Sequence, residues 1–288
     1  MKFYVKKTDI YTDKKVNDAN IVCISDLHYT KSLTPNFLLE LIQKIVSLNP
    51  TYICFLGDLC DDNSYQDVIE WLNLLSKVAP VYFIYGNHDI KKYRIKDEMY
   101  RVSSHLPSKI KKEIKNINNL KLLNNNKIVS TDGFSFCGLD FYDDSHYDTL
   151  IGKMNHNIPE FTPKSFNTLL SHNPKTIDPL VFKELDEEYK YNTDCILSGH
   201  SHNGLVTPSM DNILPGNRGF YLKAKGLFPS YTRGTFDCGY STECQHSDYV
   251  GIICPPLRTL PDRNIILRKA NDILYTPGIQ LVRVKKEK

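Results

Sequence analysis

An α/β fold is expected from two features of this sequence. Between residues 20 and 90, short apolar runs alternate with amphipathic stretches, the rhythm of a parallel βαβαβ unit. Apolar runs along the chain also end in residues whose side chains can hold a metal: IVCIS before Asp26-Leu27-His28, YICFL before Gly57-Asp58, VYFIY before Gly86-Asn87-His88-Asp89, TLLS before His172, and CILS before Gly199-His200-Ser201-His202. In open α/β sheets the ends of buried strands face one crevice, and ligands bind there.

The elements follow in order. The segment 1–20, MKFYVKKTDIYTDKKVNDAN, alternates lysine with polar residues and lacks the apolar core of a secretory signal. A strand is predicted over 21–25, then a helix over about 35–48, where Phe37, Leu38, Leu41, Ile42, Ile45 and Leu48 recur at helical spacing. A strand at 52–56 leads to a helix over about 65–78, in which Val68, Trp71, Leu72 and Leu75 repeat in the same way; Trp71 is therefore read as a packing residue. The strand 81–85 completes the unit. Residues 91–126 are rich in lysine and asparagine, and Ile95, Met99, Ile110 and Ile114 suggest short helices covering the sheet, with a lid over the site as the alternative. Strands are expected again near 127–129, 134–138, 167–171 and 194–198, with a last pair at 262–268 and 278–285. Residues 207–261 show no period and are expected to be irregular. With no internal repeat and no linker-like tract, residues 1–288 are read as a single domain.

A chain of 288 residues with 41% hydrophobic composition can bury a full core. Its 36 basic and 33 acidic residues leave a formal charge of +3, too mild to indicate nucleic-acid binding. No stretch approaches the roughly 20 apolar residues of a membrane span. Eight cysteines without an export signal suggest reduced thiols and a cytoplasmic location. Cys238, Cys244 and Cys254 lack the paired spacing of a zinc site, so free or buried thiols are expected there.

Each short motif is weak alone, because a pattern such as Asp-x-His arises often by chance. Order and placement make the case. Asp26 and His28, two apart just past a strand, are expected to point the same way and grip one ion. Gly57 permits a tight turn that presents Asp58. Asn87 offers a neutral amide oxygen, while His88 stays available for acid–base work. Gly199 frees the turn before His200 and His202, again two apart.

In this order DLH, GDLCDD, GNHD, SH and GHSH resemble the five signature motifs of the calcineurin-like metallophosphoesterases, over about residues 20–206. The wording around them (ISDLH, LLSHNP, LSGHSHNG) is most similar to a bacterial branch of small soluble or membrane-associated members. The resemblance implies a two-sheet α/β/β/α sandwich of the metallophosphoesterase type, with helices outside and a dinuclear site at one rim. It implies that Asp26, His28 and His202 hold one divalent ion, that Asn87, His172 and His200 hold the other, and that Asp58 bridges them. Manganese is the first choice, with iron(II) or zinc as alternatives. Two dications against two carboxylates and a hydroxide leave about one positive charge to attract a phosphate ester. His88 would stabilise developing charge or protonate the leaving oxygen. Asp61, three residues after Asp58, would orient His88, ahead of Asp62 or Asp89. Purple acid phosphatases, in the same superfamily, carry a tyrosine ligand for ferric iron where this chain has Asp61, which favours two divalent ions. Asn203 follows GHSH where glycine is common, a departure that affects only the local turn.

The implied reaction is hydrolysis of a phosphomonoester, phosphodiester or pyrophosphate by metal-bound hydroxide, on a phosphate-ester small molecule or a nucleotide-like substrate. Within enzymes the alternative is a cyclic-nucleotide phosphodiesterase or nuclease, disfavoured by the lack of an interleaved aromatic–basic stripe. The bacterial branch also suggests a pyrophosphatase of lipid-linked nucleotides, although no basic amphipathic helix for membrane docking is evident. A binding scaffold of the same fold, as in a retromer coat subunit, is the alternative of another class; it would have lost the catalytic histidine, which stands here as His88. Lys91, Lys92 and Arg94 suit either a phosphate-steering role or a solvated face. Asp140, His105, His146, His156 and His246 are expected to be ordinary loop, surface or core residues.

Overall fold

A computed structural model describes residues 2–31, 33, 35–60, 65–89, 91–95, 98–102, 108–140, 161, 163–177, 192–205, 233–238, 249–258 and 275–287. Along the chain these form β1 (Tyr4–Thr12), β2 (Ala19–Ile24), α1 (Pro35–Val46), β3 (Tyr52–Phe55), α2 (Tyr65–Leu75), β4 (Val81–Phe83), β5 (Lys91–Ile95), β6 (Glu98–Val102), α3 (Ser108–Lys115) and β7 (Leu120–Leu122). Then come β8 (Asn126–Val129), β9 (Phe134–Gly138), β10 (Phe166–Ser171), β11 (Cys195–Ser198), β12 (Gly234–Cys238), β13 (Tyr249–Ile253) and β14 (Gly278–Lys286).

Two six-stranded sheets result, in the orders β1-β14-β2-β3-β4-β7 and β12-β13-β11-β10-β9-β8. The centre of the first is parallel, β2 to β3 to β4 to β7. The centre of the second is parallel too, β9 to β10 to β11 to β13, with antiparallel β8 and β12 at its edges. Strands buried on both faces read as continuous apolar runs, which is why β2, β3 and β4 stand out in the sequence.

Alternation along the strands sorts their side chains into two cores. Val22, Ile24, Ile53, Phe55, Val81 and Phe83 face outward and meet Phe37, Leu38, Leu41 and Ile45 of α1 and Val68, Trp71, Leu72 and Leu75 of α2. Trp71 is a packing residue, as expected; its indole donates to Leu38 O at 3.2 Å. Ile21, Cys23, Cys54 and Tyr82 face the other way and meet Phe134, Phe136, Phe166, Leu170, Cys195 and Leu197 of the second sheet. The Phe136 ring lies 4.9 Å from Tyr52 and 4.5 Å from Tyr82. This is the expected sandwich of two sheets with helices outside.

Several elements differ from expectation. Among the described residues β1 pairs on one side only, with β14, and its lysines suit such an edge, so no apolar run marks it. β7 is likewise an edge strand, paired with β4. Residues 91–95 and 98–102 form an antiparallel strand pair where short helices were expected, whereas 108–115 is helical. The stretch 207–261 is not wholly irregular, since it contains β12 and β13; Gly251 interrupts the apolar run of β13 and hides its signal. The expected strand 262–268 lies outside the described residues. Cys23, Cys54, Cys60, Cys137, Cys195 and Cys254 are buried free thiols, and burial raises the pKa of Cys23, Cys195 and Cys254. Cys244 lies outside the described residues. Among the described residues, no helix is long and apolar enough to cross a membrane.

Because Phe136 is fully buried between the sheets, Phe136→Ala should lower stability by about 3–5 kcal/mol. Leu39→Ala, at a position 52% exposed, should stay within about 0.5 kcal/mol. Urea unfolding curves measure both; equal shifts would contradict the sandwich core.

Candidate metal centre

The candidate ligands lie just past the ends of adjacent strands. Asp26 and His28 follow β2, Asp58 follows β3, Asn87 follows β4, His172 follows β10, and His200 and His202 follow β11. The backbone there is not extended. Asp26, His28, Asp58, His200 and His202 have φ values of 54°, 43°, 58°, 66° and 49°. The two pairs spaced two apart therefore converge through left-handed turns, not through the strand alternation expected from their spacing. Such conformations cost roughly 1–3 kcal/mol each and persist where the surroundings over-determine them. Here Asp26 N donates to Gly57 O at 3.1 Å, His28 N to Asp58 O at 2.9 Å and Tyr29 N to Leu59 O at 3.0 Å, zipping the first two loops together. A Cβ on Gly57 would meet the backbone of Gly86, and one on Gly199 would meet Ser25 Oγ, so both positions need glycine for close approach.

The side chains gather into overlapping groups. The ligand atoms of Asp26, His28 and His202 lie within 4.8 Å of one another, as do those of Asp58, His172 and His200, and those of His28, Asp58 and His88. Asp58 Oδ2 is 3.5 Å from His28 Nε2 and 3.3 Å from His172 Nε2. His202 Nε2 is 3.5 Å from Asp26 Oδ1. Asn87 Oδ1 is 3.1 Å from His172 Nε2.

The chemistry of this donor set fits a pair of cations. His172 Nδ1 sits 2.5 Å from Leu56 O, so it carries a proton, and Nε2 is aimed at the oxygens of Asn87 and Asp58. Acceptors facing acceptors require a cation between them. Without a metal that cation is a proton: burial opposes the His172 imidazolium, yet the Asp58 carboxylate lifts its pKa to about 9. Burial likewise raises Asp58, but His172, then His28 and His88, outweigh it and hold the carboxyl well below its usual range. Burial first, then the charge of His172, takes His200 down to about 3; burial also lowers His202. Neutral imidazoles suit metal ligation. Asp26 is fully buried; its Oδ2 accepts from Ser25 Oγ at 2.5 Å and from His200 N at 3.2 Å, while Oδ1 has no hydrogen-bond donor among the described residues. That bare oxygen faces His202. Carboxylate, imidazole and amide together suit first-row divalent ions.

His88 differs from the seven. Its side chain is exposed at the open side, its ring meets His28 edge-on at 4.6 Å, and its backbone N donates to Asp58 Oδ1 at 2.8 Å. Asp61 and Asp62 lie outside the described residues, as do His105, His146, His156 and His246. Asp140 follows β9 and its N donates to Asn125 Oδ1 at 2.8 Å, a loop position. Lys91, Lys92 and Arg94 lie on β5. Asn203 lies in a 3₁₀ turn, His202–Leu205, and Gly204 takes the positive φ of 61° that the turn requires.

Asp89 carries more than its motif position suggests. Its buried carboxylate accepts from Gly86 N at 2.9 Å, Asp58 N at 2.8 Å and Leu59 N at 3.0 Å, stapling the Asp58 loop to the Asn87 turn. Burial, then the Asp58 charge, pushes its pKa up to about 6. Three amides brought together from two loops leave no one-dimensional signal.

A model of the calcineurin-like phosphoesterases matches residues 19–204. An uncharacterised metallophosphoesterase of Campylobacter jejuni is 27% identical over 266 residues, covering 91% of this chain and 62% of that protein. Another from Helicobacter pylori is 24% identical over 263 residues, with the same two coverages, 91% and 62%. This chain therefore spans about three fifths of the length of these two relatives. A Chlamydia muridarum protein named UDP-2,3-diacylglucosamine pyrophosphatase LpxG is 26% identical over 262 residues, covering 77% of this chain and 74% of that one. The matched span takes in more than half of the chain and every converging side chain, and the chain accordingly belongs to the calcineurin-like phosphoesterase family.

Proposed function

We propose that this chain hydrolyses a phosphate ester or anhydride at a two-ion centre, and the observation that supports it most is the Asp58 carboxylate within reach of both groups of ligands. Asp26, His28 and His202 would hold one ion, Asn87, His172 and His200 would hold the other, and Asp58 would be shared. Two bound divalent ions, manganese first, supply Lewis-acid polarisation of the phosphoryl group and an activated water. The protein keeps the groups dry and oriented: Asp26, His28 and His172 are fully buried, which strengthens charge interactions among them. Leu56 O fixes the His172 tautomer and Ser25 turns Asp26 Oδ1 inward. His88, exposed beside Asp58, would meet the leaving oxygen, and Asp61 is the residue proposed to orient its imidazole.

For the substrate we take a phosphomonoester, phosphodiester or pyrophosphate. The name of the Chlamydia muridarum relative puts a nucleotide-linked pyrophosphate first among compounds to assay. Cyclic nucleotides and nucleic acids belong to the same panel. The same proposal treats 1–288 as one cytoplasmic domain, with β14 between β1 and β2 joining distant parts of the chain, and 91–126 as a covering of the first sheet rather than a lid, since Ile114, Ile117 and Leu120 are buried in its outer core.

Reconstituted protein should bind two manganese ions per chain, and a chelator should abolish activity that manganese restores. Fewer than one ion at saturation, by elemental analysis, would falsify the centre. Asp58→Ala should lose both metal affinity and activity while Asp62→Ala changes little; equal losses refute the shared role of Asp58. His88→Asn should lower kcat by about 10²–10⁴-fold at near-native metal content. Its penalty should be smaller for a nitrophenyl ester than for an alkyl ester if the imidazole donates a proton. An equal penalty makes His88 an electrostatic stabiliser, and parallel loss of metal places it among the ligands.

A further inference from the structure

Beyond the five motifs, the segment that leaves β13 lies against the first ligand loop. Leu257 N donates to Ser25 O at 2.9 Å and Arg258 N to Asp26 O at 3.0 Å. The Arg258 side chain, 6% exposed, turns back along the same loop. Its Nη1 donates to His28 O at 2.9 Å and to Thr30 Oγ1 at 3.1 Å.

The backbone hydrogen bonds of the two ligands in this loop then divide cleanly. The N–H groups of Asp26 and His28 go to the carbonyls of Gly57 and Asp58, on the neighbouring loop. Their carbonyls are met by one residue, Arg258: its main chain takes Asp26 O and its guanidinium takes His28 O. These are the peptides that hold left-handed φ values of 54° and 43°. A buried carbonyl without a donor is costly, and a left-handed residue relaxes when its partners go. The segment is itself anchored: Gly278 N donates to Pro256 O at 2.9 Å, and a Cβ on Gly278 would collide with Pro255.

We infer that Arg258 is a positioning residue for the ion held by Asp26, His28 and His202, acting through the peptide planes of Asp26 and His28 rather than by touching the ion. The inference rests on the proposed ligand assignment. Arg258 lies outside the span 19–204 that matches the family pattern, so the site is completed by a part of the chain the motifs do not include. Both side-chain bonds come from Nη1, whose two N–H groups are fixed in the guanidinium plane; lysine would keep the charge but not those fixed donor directions.

The test is manganese titration of the full chain, followed by electron paramagnetic resonance, with thermal melting of the metal-free protein alongside. Arg258→Ala should weaken one of two ions by about 10–100-fold, as loss of an orienting partner does. It should leave the other ion in place, giving the mononuclear spectrum expected of His202→Ala, the control variant. Arg258→Lys should fall between wild type and Arg258→Ala. Thr30→Val, which removes one acceptor and keeps the arginine, should shift the same ion by a smaller factor at an unchanged melting temperature. Unaltered affinities in Arg258→Lys and Thr30→Val overturn the inference, and these two variants decide the matter if Arg258→Ala does not fold. Equal weakening of both ions together with a lowered melting temperature overturns it too, since that is general destabilisation. Wild-type protein that binds no manganese overturns the metal-centre reading and this inference with it, whereas normal wild-type binding with unaltered variants overturns this inference alone.

Discussion

A single buried carboxylate couples the two halves of this molecule. Asp58, 1% exposed, stands at the end of β3 in the first sheet, yet its Oδ2 lies 3.3 Å from His172, which follows β10 in the second. Burying an unneutralised carboxylate between two sheets is strongly unfavourable. Imidazoles on either side offset that cost. The Asp58 amide and its side chain are held as well, by the Asp89 carboxylate and by the His88 N–H. Nearly everything near the rim of the sandwich serves to keep this group in place.

The second constraint is how closely the loops must approach. Carboxylate and imidazole groups reach only a few ångströms from the backbone, so loops from adjacent strands must almost touch. Glycines at 57, 86 and 199 permit this, because a Cβ at each would strike Gly86, Asp58 or Ser25 respectively. Tight approach also forces five ligand-bearing residues into left-handed conformations. The hydrogen bonds running from 26–29 to 57–59 hold that strain on one flank, and Leu257 and Arg258 hold it on the other. Family motifs name the candidate ligands, while the bonds that restrain them come partly from residues far along the chain.

The sheets divide the chemistry. Both candidate carboxylates and the amide come from the ends of β2, β3 and β4, and three of the four candidate imidazoles come from the ends of β10 and β11. A site assembled this way exists only when the apolar faces of the two sheets are packed, with Tyr52, Tyr82, Phe134 and Phe136 filling the space between. Any metal binding here would thereby be linked to folding, since the candidate ligands come together only in the folded chain.

Sequence pattern alone was enough for the βαβαβ unit and the apolar stripes of α1 and α2, and it marked the polar side chains at strand ends that the fold brings together. Strands buried on both faces and helices with one apolar face leave periodic marks, and metal-binding side chains at strand ends are visible one by one. Edge strands β1 and β7 leave no such mark, because one side faces solvent and polar residues suit it. Strands β12 and β13 are short, Gly251 interrupts β13, and their pairings, β13 with β11 and β12 with β13, are not announced by their own composition. The left-handed turns at Asp26, His28, Asp58, His200 and His202 were not legible either: spacing two apart suggested strand alternation, whereas backbone contacts between loops impose a turn. The staple made by Asp89 and the brace made by Arg258 belong wholly to the fold, since each joins residues remote in sequence through hydrogen bonds that no local pattern encodes.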